Sequence, residues 1–161
     1  MSLPIRAAAT TPDLAQARAL FEEYAAWLAV DLCFQGFAEE LATLPGNYAP
    51  PRGMLLLAGP PGAAVGCIAL RPLPGIGSAP GATAEVKRLY VRPEARGTGL
   101  GRRLVRIVID GARAIGYREL RLDTLDRMVD ARALYANLGF RECAPYYHNP
   151  IPGAVYMAFA L

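Results

Sequence analysis

The chain is poor in the residue types that build most catalytic centres. It has two serines, Ser2 and Ser78, and one histidine, His148. Neither serine sits in a GxSxG setting, so a serine–histidine triad would have to recruit Ser78 from a proline- and glycine-rich loop, a poor scaffold for a nucleophile. The three cysteines, Cys33, Cys67 and Cys143, lie far apart, are odd in number and form no CxxC. They read as buried, reduced thiols of a cytoplasmic protein, not as a disulfide frame. Without a His/Cys cluster, no metal is expected. No apolar segment follows a basic one at the N-terminus, which argues against a signal peptide. The charge-free stretch Gly53 to Leu70 is broken by Gly59-Pro60-Pro61-Gly62 and reads as two strands and a turn, so no membrane partner is expected.

What is present is an apolar chain of modest charge: 53% of its 161 residues are hydrophobic and the net charge is +3. That combination excludes disorder and suits one domain spanning residues 1–161. The charge is unevenly spread. Residues 1–81 carry a net −2 and residues 82–161 a net +5, and six arginines between Arg88 and Arg106 face the single acid Glu94. Such a cluster suits a polyanion, either a phosphate-rich small molecule or nucleic acid. The latter is disfavoured by the absence of interleaved aromatics and of any nucleic-acid motif.

Periodicity orders the elements. A short strand at Pro4–Ala8 precedes a helix that starts at Thr11-Pro12-Asp13, with a hydroxyl cap, proline in the first turn and an acid, and runs to about Val30. A second helix covers Phe37 to Leu44. Met54–Ala58 and Val65–Leu70 form an apolar hairpin, and a strand follows at Glu85–Val91. Helix Leu100–Ile115 should bury Leu104, Ile107, Val108, Gly111 and Ile115, ending at Gly116. Strand Leu120–Asp123, helix Met128–Leu138, a short strand near Glu142, a loop Pro145–Gly153 and strand Val155–Ala160 complete the chain. The alternation argues for an α/β fold, a mixed sheet flanked by helices.

The most informative segment is Arg96-Gly97-Thr98-Gly99-Leu100-Gly101-Arg102, between a strand and a helix. Three alternating glycines at a helix N-terminus leave backbone N–H groups unshielded. The helix dipole adds about half a positive charge there, and Arg96 and Arg102 flank it. This suits a pyrophosphate, although glycines after a strand also make tight turns. Two common phosphate loops do not fit: GxGxxG needs glycine where Arg102 stands, and the Walker A Lys-Ser/Thr pair is absent.

Arg96-x-x-Gly99-x-Gly101 resembles the pyrophosphate motif of the GNAT superfamily of acyl-CoA-dependent N-acyltransferases. Glu85-Val86-Lys87-Arg88-Leu89-Tyr90-Val91 ahead of Arg92-Pro93 is similar to that family's fourth strand. Ala131-x-x-Leu134-Tyr135-x-x-Leu138-Gly139-Phe140 is similar to its late helix and following turn. The three segments come in family order and spacing. The resemblance implies a mixed, mostly antiparallel central sheet with a V-shaped split between the fourth and fifth strands. It implies acetyl-CoA as acyl donor, its pantetheine arm against the backbone of Leu89, Tyr90 and Val91 and its pyrophosphate on the amides of Gly97, Thr98, Gly99, Leu100, Gly101 and Arg102. One departure stands out: many members place an asparagine after the fifth strand, where this chain has Asp123-Thr124-Leu125-Asp126-Arg127-Met128, leaving Asp126 or a backbone group to substitute.

Amine acylation needs a neutral amine, a polarised carbonyl and a protonated leaving thiolate. An alkyl ammonium of pKa ~10 must be stripped of a proton. By the resemblance Glu85 is the candidate base, directly or through water, with an ion pair to Lys87 or Arg88 as its alternative role. Tyr135 is the candidate acid for the thiolate, with plain core packing as its alternative. The acceptor is expected to be a small amino-acid-like amine, with Tyr24, Phe34, Arg71, Arg88, Tyr146, Tyr147 and His148 as candidate contacts. Arg71 follows an apolar strand and needs an anion, which could be a substrate carboxylate or one of Glu22, Glu23 and Glu85. A protein or peptide amine as acceptor, and a non-catalytic acyl-CoA sensor, remain open, as does a homodimer.

Overall fold

Alternating apolar residues in the strands and three- and four-residue spacing in the helices are both satisfied by one sheet covered on its two faces. The computed structural model describes residues 2–77 and 79–161, so Ser78 lies outside the described residues. The strands are β1 (Ile5–Ala7), β2 (Met54–Ala58), β3 (Gly66–Pro72), β4 (Thr83–Val91), β5 (Glu119–Leu125), β6 (Arg141–Glu142) and β7 (Ala154–Ala160). The helices are α1 (Thr11–Leu28), α2 (Phe37–Thr43), α3 (Leu100–Ile115) and α4 (Val129–Leu138). Seven strands form one sheet in the order β1-β2-β3-β4-β5-β7-β6.

Every neighbouring pair is antiparallel except β4 and β5, which run parallel. That pairing is brief. It joins Thr83–Glu85 to Glu119–Arg121, while β4 continues to Val91 and β5 to Leu125. Beyond Glu85 the two strands diverge, and the sheet opens into a V. One face packs Ile68, Leu70, Ala84 and Val86 against Leu104, Val105 and Val108 of α3. The other packs Leu57, Cys67 and Ala69 against Ala17, Leu20 and Phe21 of α1. Each fully buried aliphatic side chain contributes about 1.5–3 kcal/mol, so the two layers hold the split sheet open between them.

Three local expectations shift. The N-cap of α1 is Thr10, not Thr11: its hydroxyl accepts from the Asp13 N–H at 3.2 Å, and the Asp13 carboxylate accepts from the Ala9 and Thr10 N–H groups at 3.0 and 3.1 Å. Thr10→Ala is therefore expected to cost about 1 kcal/mol, read as a lowered chemical-denaturation midpoint. An unchanged midpoint would mean that Asp13 alone holds the helix start. On α3 the buried face takes Ile109 in place of Ile107, which is 38% exposed, because the sheet follows the Leu104/Val105/Val108 ridge. The third shift concerns the cysteines, all free: Cys67 is buried, but Cys33 is exposed and Cys143 half-buried.

Candidate active site

The V is lined where β4 departs from a regular ladder. Cys67 pairs with Tyr90 but Ala69 pairs with Lys87, so β4 carries one residue more than β3 across this interval, a β-bulge. Arg88 sits in it at φ 60°, the left-handed region that a side chain seldom adopts. The bulge brings two successive side chains to the α1/α2 side. Arg88 donates twice to Glu40 of α2, both bonds at 2.9 Å, and Lys87 donates to Gln35 Oε1 at 3.1 Å. A cleft opens beside them, lined by Tyr24, Leu28, Lys87, Arg88, Leu89, Asp123, Met128 and Tyr135 among others.

Tyr135 comes from α4, its ring 5.5 Å from that of Phe140. Its hydroxyl makes no hydrogen bond among the described residues. Burial pushes its pKa well above the usual tyrosine value, with Tyr24 and Asp123 adding to the effect, so it stays protonated and can donate. Tyr24 is pushed up to about 12, mainly by burial, with Arg88 opposing.

Glu85 lies behind the cleft wall, 1% exposed. Its carboxylate accepts from Arg71 Nε at 2.9 Å and from the Tyr146 hydroxyl at 2.6 Å, with Lys87 Nζ 3.9 Å away. Burial alone would raise its pKa, but Lys87, Arg71 and Tyr146 together hold it below the ordinary value, so it is ionised. Asp123 faces Lys87's strand from β5. Its Oδ2 accepts from the Tyr147 hydroxyl and, at 2.9 Å, from Asn149 Nδ2. Its Oδ1 accepts nothing among the described residues.

At the start of α3, Gly97 and Gly99 have φ of 76° and 80°, and Gly99 caps the helix without a side chain. The first N–H of this region to find a carbonyl is that of Arg103, bonded to Gly99 O at 3.1 Å; among the described residues those of 97–102 remain free. The Thr98 hydroxyl turns away to Ala95 O at 2.7 Å. Arg96 lies exposed over the Trp27 ring at 4.7 Å, its Nε bonded to Val91 O at 2.8 Å. A diphosphate fits this cradle of free amides, positive helix end and adjacent guanidinium.

The arginine cluster between 88 and 106 is not one surface. Arg88 is 4% exposed and bound to Glu40, Arg92 is paired with Glu23 at 2.7 Å, and Arg103 donates to Leu3 O. Arg71 has its anion in Glu85. Tyr24, Leu89, Arg88 and Tyr135 meet at the cleft. Tyr146 reaches Glu85 but, like Arg71, Tyr147, His148 and Phe34, is not among the residues that line the cleft, and His148 and Phe34 are exposed. The Tyr90 side chain packs toward α1, against Tyr24 and Trp27. Asp126 is exposed, its backbone N–H bonded to Gly153 O. Reading the sequence missed Gln35, Glu40, Lys87 as more than a counterion, and Asp123. The available signals were the ionisable residues in apolar strands: Lys87 beside Val86, and Asp123 beside Leu122.

The model of the acetyltransferase (GNAT) family matches residues 17–140. An uncharacterized N-acetyltransferase of Schizosaccharomyces pombe is 43% identical over 157 residues, covering 97% of this chain and 93% of that protein. Among solved structures, a Klebsiella pneumoniae protein assigned as an acyl-CoA N-acyltransferase is similar with a TM-score of 0.72 at 28% identity, over 99% of this chain and 97% of that one. A Salmonella typhimurium protein assigned as an acetyltransferase and solved with acetyl-CoA shares the fold, with a TM-score of 0.70 at 22% identity over 99% and 94%.

Proposed function

The chain belongs to the GNAT acetyltransferase family, and from that premise we propose that it moves an acetyl group from acetyl-CoA to the primary amine of a small amino-acid-like metabolite. One observation carries the reading: β4 and β5 part beyond Glu85, the Tyr135 hydroxyl stands on the wall of the cleft beside them without a partner among the described residues, and the amides of 97–102 at the start of α3 are likewise free among the described residues. Acetyl-CoA supplies the acetyl group as a thioester when bound.

The amides of Gly97 to Arg102 hold the diphosphate, with Arg96 and Arg102 beside it. The β4 backbone from Leu89 to Val91, unpaired on its β5 side, receives the pantetheine arm and offers an N–H to the thioester carbonyl oxygen. Glu85 takes one proton from the substrate ammonium. Because its carboxylate is sealed from the cleft, that proton travels through the Tyr146 hydroxyl or an ordered water. The neutral nitrogen attacks the carbonyl carbon, an N–C bond forms and the C–S bond breaks. Tyr135 donates its proton to the departing sulfur and recovers one from the nitrogen as the amide forms, leaving one proton for Glu85 to release to solvent.

A thiol-release assay with acetyl-CoA across amino acids, polyamines, aminoglycosides and peptides tests the reading. Acetylation of amino acids, with no turnover of polyamines or aminoglycosides, is the expected result. Turnover of cationic acceptors alone would overturn the acceptor class, and silence across the panel with tight CoA binding would mark a sensor.

A further inference from the structure

Three cations and three anions lie in the cleft or close behind its wall, and their pairing is uneven. Arg88 and Glu40 cancel each other through two hydrogen bonds. Arg71 and Glu85 cancel in the same way, at 2.8 and 2.9 Å. One positive and one negative group are left. Lys87, the chain's single lysine among its basic residues, has a side chain 4% exposed and only a distant share of Glu85, at 3.9 Å. Its one hydrogen bond goes to the neutral Gln35, so two of its three donors are unused among the described residues. Asp123 is bonded solely to the neutral donors Tyr147 and Asn149, both at Oδ2, which leaves Oδ1 unused among the described residues. Both residues line the same cleft from opposite strands, and no ion pair joins them.

A buried ammonium with only a 3.9 Å share of one anion, and a half-buried carboxylate with no cation partner among the described residues, carry a desolvation cost that a ligand would offset. We propose that Lys87 and Asp123 bracket a zwitterion: Lys87 takes the carboxylate and Asp123 the ammonium of a free α-amino acid with an apolar side chain. The inference rests on the acetyl-transfer reading and names its acceptor. The side chain has an apolar wall to lie on, since Leu32, Met128 and Ile151 line the same cleft and pack together. Polyamines would bring a second cation against Lys87. Dicarboxylic amino acids would find Arg71 and Arg88 already engaged. Asp123 thereby holds the amine in front of the acetyl donor, while Glu85 remains the proton sink behind the wall.

L-leucine, L-leucinamide and 3-methylbutylamine separate the contributions, because they share a side chain and differ at the carboxylate. The wild-type enzyme should show kcat/KM for L-leucine about 100-fold or more above that for L-leucinamide. The amide's amine is the easier one to deprotonate, so such a preference cannot come from nucleophilicity. L-leucine alone of the three should raise the melting temperature of the ligand-free enzyme. In Lys87→Met, which leaves Arg71 and Glu85 paired, the preference and the thermal shift should both vanish, with kcat/KM for L-leucine falling to that for the amide in the same variant. Asp123→Asn should raise KM for all three amines alike. Equal or better use of the amide by the wild type, or a leucine preference that survives Lys87→Met, would overturn the bracket while leaving acetyl transfer standing. Thiol release with none of the three or any other amine would overturn the acetyl-transfer reading itself, and the bracket with it.

Discussion

Tyr135→Phe is expected to lower kcat about 100-fold or more while KM for acetyl-CoA stays within about twofold. The substitution removes one oxygen from a ring that is otherwise retained. The remaining phenyl ring would keep the tilted contact with Phe140 and the packing of α4, since neither involves the hydroxyl. A purely structural tyrosine would therefore tolerate the change with little effect on rate or stability. A proton donor to the leaving sulfur would not, because the thiolate would then have to depart unprotonated into a cleft walled by Leu89, Ala131 and Tyr24. Burial keeps the phenol protonated well above neutral pH, so the wild-type enzyme should show no loss of this donor anywhere in the physiological range. Steady-state kinetics with a saturating acceptor, together with a melting curve, decides the matter. Unchanged turnover at unchanged stability removes Tyr135 from the chemistry.

Local features were legible before the structure. The limits of α3 fall at Leu100 and Ile115 as the periodicity and the flanking glycines require, because positive φ at Gly99 and Gly116 is a property of single residues. The diverging β4 and β5 were legible through family resemblance alone, since strand order cannot be read from hydropathy. What stayed hidden depends on partners distant in sequence. The bulge at Arg88 exists because β3 has fewer residues than β4 between two fixed pairs, a difference no single strand displays. The same holds for charge. Glu40 and Arg88 look like two surface residues until α2 lies over β4, and Arg71 had several candidate anions of which Glu85 is the one the β3–β4 register places opposite. The unpaired remainder, Lys87 and Asp123, becomes visible only once every other pair is known.

Glu85→Gln brings stability and catalysis apart and is the stronger test of the site's electrostatics. Glutamine fills the same volume and can still accept from Tyr146, but it leaves Arg71 and Lys87 without their shared anion. Removing one partner from a buried pair costs about 3 kcal/mol, and less where water can reach the orphan; Arg71, with its side chain 29% exposed, is partly relieved and Lys87 is not. A clear drop in denaturation midpoint is the expected result. The deficit should shrink as pH falls. Glu85 has a native pKa held below the ordinary carboxylate value of 4.5, so its contribution is complete above that pH and is lost as pH drops through the native value. Wild type and variant should therefore converge in acid. Adding Lys87→Met to Glu85→Gln removes the buried orphan cation and should restore most of the stability at neutral pH. It should not restore turnover, which stays about 100-fold down even for L-leucinamide, an acceptor that makes no use of Lys87, because Glu85, the group that takes up the amine's proton, is gone. A double variant that is both stable and active on the amide would show that Glu85 serves as a counterion alone, and that the amine loses its proton to another group, for which Asp123, lining the cleft with Oδ1 unused among the described residues, is the candidate.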